Sequence, residues 1–204
     1  MICPTAKMYF IEGNHEDRMR KALLKNVKIV YGLRRVDDLD GYPVMSLPNL
    51  LAFDTLDINY LGEYPSGHIW LNENMYVGHG EVTRGKSGAT VNSVMNEATH
   101  SEVFGHIHRN EITSKTLHHR DEIKTIVVGS FGTMTRIDDQ GPPSSKARNN
   151  WQQGFGFVDF TNGGYVSLNP VFVHQGRAAF EGEMYVAANR SITEALVEET
   201  GWNF

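Results

Sequence analysis

The chain has 204 residues, 40% hydrophobic and 21% charged, a balance that excludes a disordered chain and matches an ordinary globular one. Nineteen Lys and Arg against 24 Asp and Glu give 19 − 24 = −5, which excludes a global positive field drawing the chain to nucleic acid or an anionic membrane. The single cysteine, Cys3, excludes an internal disulfide. No apolar run approaches the roughly 18 residues of a membrane span, and the opening Met-Ile-Cys-Pro-Thr-Ala-Lys lacks the basic and apolar regions of a signal peptide. The expectation is one cytoplasmic domain over residues 1–204, with no membrane partner.

In chain order, the apolar run Met8–Glu12 reads as a buried strand ending at Gly13. Glu16–Asn26 is helical in pattern, with Met19 and Leu23 on one face and Arg18, Arg20, Lys21 and Lys25 elsewhere. Residues 32–48 are irregular, broken by Gly32, Gly41, Pro43 and Pro48, and Asn49–Leu56 forms a short helix. Ile69–Leu71 and Met75–Val77 flank the turn-rich Asn72-Glu-Asn74, which predicts a hairpin ending at Gly78-His79. Ala89–Glu97 is a helix, and Glu102–Phe104 a strand running into Gly105. Strands then dominate at Lys115–His118, Ile123–Val128, Phe155–Phe160, Val166–Leu168 and Val171–His174. Asp138–Asn150, with Gly141-Pro-Pro-Ser-Ser145, reads as a surface loop, and Ile192–Glu199 as a closing helix.

Nine histidines are many for this length, and histidine is the commonest metal ligand. Four of them sit in three short motifs, each following an apolar strand: Gly13-Asn-His-Glu16, Gly78-His79-Gly80 and Gly105-His-Ile-His108. In an α/β sheet, function gathers at the carboxyl ends of the strands, so three such junctions can face one crevice. In an extended segment His106 and His108, two residues apart, would lie on the same side. Flanking glycines let the backbone approach closely.

Taken in this order, the three motifs resemble motifs three to five of the calcineurin-like metallophosphoesterases, closely over roughly residues 8–110; Asn150-Trp-Gln-Gln-Gly-Phe155 is similar, with less specificity, to a segment of phage and bacterial members. The resemblance implies an α/β fold, a metallophosphoesterase-like β-sandwich flanked by helices. It implies two divalent metal ions, with Asn14, His79 and His106 on one, His108 on the other, and His15 acting at the scissile phosphate. The expected activity is metal-dependent phosphoester hydrolysis, with phosphodiesters of nucleotides or nucleic acid as substrates. Imidazole ligands suit Zn, Fe or Ni, whereas the family's carboxylates, absent here, would shift the preference toward Mn.

The family's Asp-x-His and Gly-Asp-x-x-Asp motifs, which supply the bridging aspartate and most ligands of the first metal, do not occur in these 204 residues. The expectation is that the N-terminal strands of the fold are missing, through truncation, supply by a complementing chain, or loss. A half-domain that binds metal, a complementing chain or a second copy is therefore the alternative to an active hydrolase.

Plainer roles compete at several positions. Asn14 is a favoured helix N-cap, and Glu16 and Asp17 suit the first turn of a helix. Arg84, Lys86 and Arg109, beside the ligand motifs, either meet substrate phosphates or are solvated. His68, His100, His118, His119 and His174 lie outside any motif, and Trp151 and Phe155 read as core packing.

Overall fold

A computed structural model describes residues 5–119, 122–134 and 150–187. Cys3, the loop up to residue 149 and the helix at 192–199 lie outside the described residues. Over the described residues the chain is mixed α/β, mostly sheet, with three sheets and few helices. Among the described residues no helix is long and apolar enough to cross a membrane.

The central sheet has five strands: β3 (His68–Asn72), β4 (Met75–Gly78), β5 (Ser101–Phe104), β6 (Glu111–His119) and β7 (Glu122–Ser130), in the order β3-β4-β5-β7-β6. The hairpin β3/β4 forms as expected, through a two-residue link in which Asn72 Oδ1 accepts the Asn74 N–H at 2.8 Å. From β4 the chain crosses through helix α3 (Ala89–Glu97) to β5, which pairs parallel with both β4 and β7.

Alternation along these strands builds two cores. On one face Phe104, Ile126 and Val128 meet Val91 and Met95 of α3 together with Ile107. On the other, Met75 and Val103 meet Leu168 of a second sheet. That sheet, in the order β11-β10-β9-β8, comprises β8 (Gly154–Phe160), β9 (Val166–His174), β10 (Arg177–Phe180) and β11 (Glu183–Val186). The two sheets approach so closely that a Cβ at Gly129 would come within 2.6 Å of Leu168 Cδ1. Helix, sheet and sheet therefore form three layers.

Four details differ from the sequence expectations. β9 is one strand rather than two, because β10 pairs with it only at Val173 and His174. At Pro170 that side is an open edge, where a missing N–H breaks no ladder. β10 and β11 were not foreseen; their turns, Gln175-Gly176 and Glu181-Gly182, hold both residues at positive φ as two-residue hairpins require, with Gln and Glu where Asn or Asp is usual. The helix expected at Asn49–Leu56 is a single turn, α2 (Leu47–Leu50), followed by further turns. Finally, β1 (Met8–Phe10) is not buried: among the described residues it pairs only with β2 (Ile58–Tyr60), and Met8 and Tyr9 are 49% and 45% exposed.

Helix α1 (Asn14–Asn26) follows β1 and opens on one half of a capping box, in which Glu16 Oε2 accepts the Gly13 N–H at 2.9 Å. Gly13 is thus the N-cap, and Asn14 is the first helical residue rather than the cap. Asp17 is buried and ion-paired with Lys21 and Arg20 one turn on. The Lys21 ammonium, then Arg20, hold its carboxyl below the usual range against the opposing effect of burial. Because the folded state keeps Asp17 ionised more readily than the unfolded chain, its contribution is full above about pH 4 and fades as pH falls through the lowered value. Asp17→Asn should therefore melt below the wild type at about pH 7, with the gap closing toward about pH 3. A gap independent of pH in thermal melts would contradict this.

Candidate metal centre

The parallel register Met75–Ser101, Tyr76–Glu102 and Val77–Val103 brings β4 and β5 to an end side by side. The residues just beyond them, His79 and His106, are therefore neighbours, tied by the Gly105 N–H donating to the His79 carbonyl at 3.1 Å. Ser130 Oγ, at the end of β7, donates to the Gly105 carbonyl at 3.1 Å and holds the same loop from the other side. β1 delivers Gly13 and Asn14 to this point as α1 begins. Gly13 has to lack a side chain, since a Cβ there would lie 2.4 Å from Cε1 of His79.

Three donor atoms converge. Asn14 Oδ1 is 3.0 Å from His79 Nε2 and 3.3 Å from His106 Nδ1, and the two nitrogens are 3.3 Å apart. Metal–ligand bonds of about 2.0–2.2 Å place neighbouring donors about 3.0–3.5 Å apart at the edge of a tetrahedral or octahedral shell. The triangle matches that edge length, so these residues fit one divalent ion.

Burial, and then the neighbouring His106, push His79 down to about 4. His106 and His108 are also lowered, chiefly by burial and then by His15. All three are thus neutral imidazoles near neutral pH, the form that ligates metal. The same shifts make the folded state less stable as pH falls from about 6.5 toward the lowered values, because the unfolded chain takes up protons first.

Gly105-His-Ile-His108 is not extended. His106 and His108 both have φ of 54°, in the left-handed region, with buried Ile107 between them. His108 is not one of the three converging donors: its ring stacks on Trp151 at 4.5 Å and lies 6.0 Å from His15. Trp151, read from sequence as core packing, is thus a wall of the site, and the Gln152 N–H donates to the His108 carbonyl at 2.7 Å. Tyr64, for which no motif gave a signal, sets its ring edge-on to His79 at 5.5 Å. His15 is exposed on the first turn of α1, where helix N–H groups favour an anion.

A second ion finds fewer donors. Among the described residues no group of three His, Cys, Asp or Glu side chains is placed to hold a metal; the triangle above counts an amide as its third member. Among the described residues no hydrogen bond or ion pair joins His108 to a carboxylate.

The two arginines separate. Arg84 lies on an exposed loop, its guanidinium donating to the Thr83 carbonyl at 3.1 Å. Arg109 is 4% exposed and donates to the carbonyls of Lys86 and Arg84 and to Thr90 Oγ1 at 2.9–3.2 Å, with Glu111 3.4 Å from its Nε. It clamps the loop before α3, and the structure does not bring it to the triangle as a phosphate ligand.

Comparison of the chain with protein-family models, curated proteins and solved structures finds no match.

Removing Arg109 leaves Glu111 buried without its cation, a change that typically costs about 3–5 kcal/mol. Arg109→Ala should accordingly lower the denaturant midpoint or prevent folding. A variant of unchanged stability would show that the clamp carries little.

Proposed function

We propose that this chain is the metal-binding part of a phosphoester hydrolase, with Asn14, His79 and His106 holding a divalent ion. The observation that supports this reading is the meeting of three sequence-distant motif residues within 3.0–3.3 Å. Resemblance to the calcineurin-like metallophosphoesterases, and phosphodiesters of nucleotides or nucleic acid as substrates, belong to the same reading. Two left-handed histidines support it further, since such backbone costs about 1–3 kcal/mol each and gathers at functional sites.

When bound, a divalent ion acts as a Lewis acid toward a phosphoryl oxygen and makes a water a better nucleophile at neutral pH. The chain's own residues do the rest. Asn14, His79 and His106 hold the ion without carrying charge, which leaves it strongly electrophilic. His15, at the first turn of α1, meets the phosphate and gives a proton to the departing oxygen. Trp151 fixes His108, and Tyr64 shields one side of His79.

A half-site reading is favoured by a specific observation: neither Asp-x-His nor Gly-Asp-x-x-Asp occurs in these 204 residues. On that reading a complementing segment or second chain supplies the acidic donors, and the full complement of two Mn, Zn, Fe or Ni ions assembles only with it. Without anionic ligands, two cations held close repel with little to offset them.

Mn²⁺ or Zn²⁺ titrated calorimetrically into the metal-free chain should bind near one equivalent, and His106→Ala should abolish that binding. Unchanged stoichiometry in the variant would sink the assignment. In a preparation that hydrolyses bis-p-nitrophenyl phosphate, His15→Asn should lower turnover by roughly 10²–10⁴ while metal content stays constant. Parallel loss of metal would make His15 a ligand instead.

A further inference from the structure

Beside the metal triangle, a cavity of about 320 Å³ opens between α3, the 80–84 loop and the face of β4 and β5. Its size lies at the lower end of the range for small-molecule sites. It is joined to the centre just described through the chain: Gly80 and Glu81, which line it, directly follow His79, and Phe104, also in its wall, precedes Gly105-His106, while Asn14, His79 and His106 themselves lie outside its lining.

The walls select the chemistry. Tyr76 and His100 present rings 5.7 Å apart and tilted by 55°, Trp70 packs on both at 5.5 and 4.7 Å, and His68 stacks on Tyr76 at 5.2 Å. Such a surface suits a flat heterocycle. Facing the cavity, Glu102 is partly buried, and among the described residues no hydrogen bond or ion pair holds its carboxylate. Burial raises its pKa, the mark of a charge that lacks compensation. Three carboxylates, Glu81, Glu97 and Glu102, line the cavity against one cation, Arg84, so its formal charge is 1 − 3 = −2. That excludes the phosphate end of a nucleotide and favours a neutral group rich in N–H donors.

We infer that this cavity is the base-binding subsite of the proposed hydrolase, taking guanine with its face on one of the Tyr76 and His100 rings and its edge toward the other, and its N1–H and N2–H groups donating to Glu102. Among the common nucleobases guanine offers two adjacent donors to one carboxylate. The inference rests on the hydrolase reading for the destination of the phosphate, but base binding itself needs no metal. Either a free nucleotide or a guanine in a single strand supplies this chemistry.

The test is binding in chelator-containing buffer, followed by ligand-observed NMR or calorimetry, of guanosine, inosine and uridine. Guanosine should bind at least about tenfold tighter than inosine, which lacks the 2-amino group, since a hydrogen bond to a charged group is worth about 1.5–3 kcal/mol. Glu102→Gln should erase that preference while leaving Mn²⁺ binding at the triangle unchanged. If that variant does not fold, the guanosine-to-inosine ratio on the wild type carries the same test. Guanosine 5′-monophosphate and a short single strand containing one guanine, titrated in parallel, distinguish the two sources, and binding of either supports the subsite. No guanosine binding, or equal affinity for all three nucleosides, overturns the inference. A chain that binds Mn²⁺ yet ignores guanosine loses the subsite and keeps the hydrolase reading; one that binds guanosine but no metal does the reverse.

Discussion

Parallel pairing of β4 with β5 is the constraint from which the site follows. Parallel strands end at the same edge of a sheet, so the residues after each strand meet there without any further instruction. Three register pairs, from Met75–Ser101 to Val77–Val103, fix that edge to within a residue. A slip by one residue would send Val103 to the α3 face and Phe104 to the Leu168 face, exchanging the two cores. The burial that stabilises the sheet therefore also locks His79 against His106. Parallel pairing in turn needs a crossover, and α3 supplies it by covering Ile126 and Val128.

Holding two histidines in the left-handed region requires support from elsewhere, and it comes from several directions. Ile107, between them, is 5% exposed and packs in the α3 core, so it acts as an anchor. Ser130 ties down Gly105. Gln152 binds the His108 carbonyl through its N–H, and its side-chain Oε1 accepts the Asn110 N–H at 2.7 Å. Arg109, between His108 and Asn110, fastens the same segment to the loop before α3. An ion pair this deep adds little net stability but is costly to break. Its effect here is to fix the path of the loop that carries both imidazoles.

Most of the layout was legible from sequence because two periods carry it. Ala89–Glu97 and the strands around residues 101–104 and 123–128 announce themselves by spacing and by glycine stops. Asn14, His79 and His106 were legible as a set only through the order of their motifs, since each motif alone is weak. What stayed hidden depends on tertiary placement. Arg109 sits beside a ligand motif and looks like a phosphate binder, yet the chain turns it inward. Trp151 looks like core and lies on His108. Tyr64 carries no local pattern at all. The extended reading of residues 105–108 failed because sequence spacing says nothing of φ at His106 and His108.

The second sheet contributes more than a hydrophobic cover. Thr133 and Gln153 form an isolated bridge, and the Gly154 N–H donates to the Thr133 carbonyl at 2.9 Å, so the chain leaving β7 is stitched to the chain entering β8. Trp151 and Gln152 lie on that stitch. Leu168 in turn seats β9 over Gly129, within two residues of Phe131, whose N–H donates to the Phe104 carbonyl at 3.1 Å. Loosening the sandwich at Leu168 would thus act on His108 through Trp151 and on His106 through Phe104, with no change in any residue of the triangle. The position of the two imidazoles is a property of all three layers, because each layer supplies one of the contacts that keep the strained loop from relaxing.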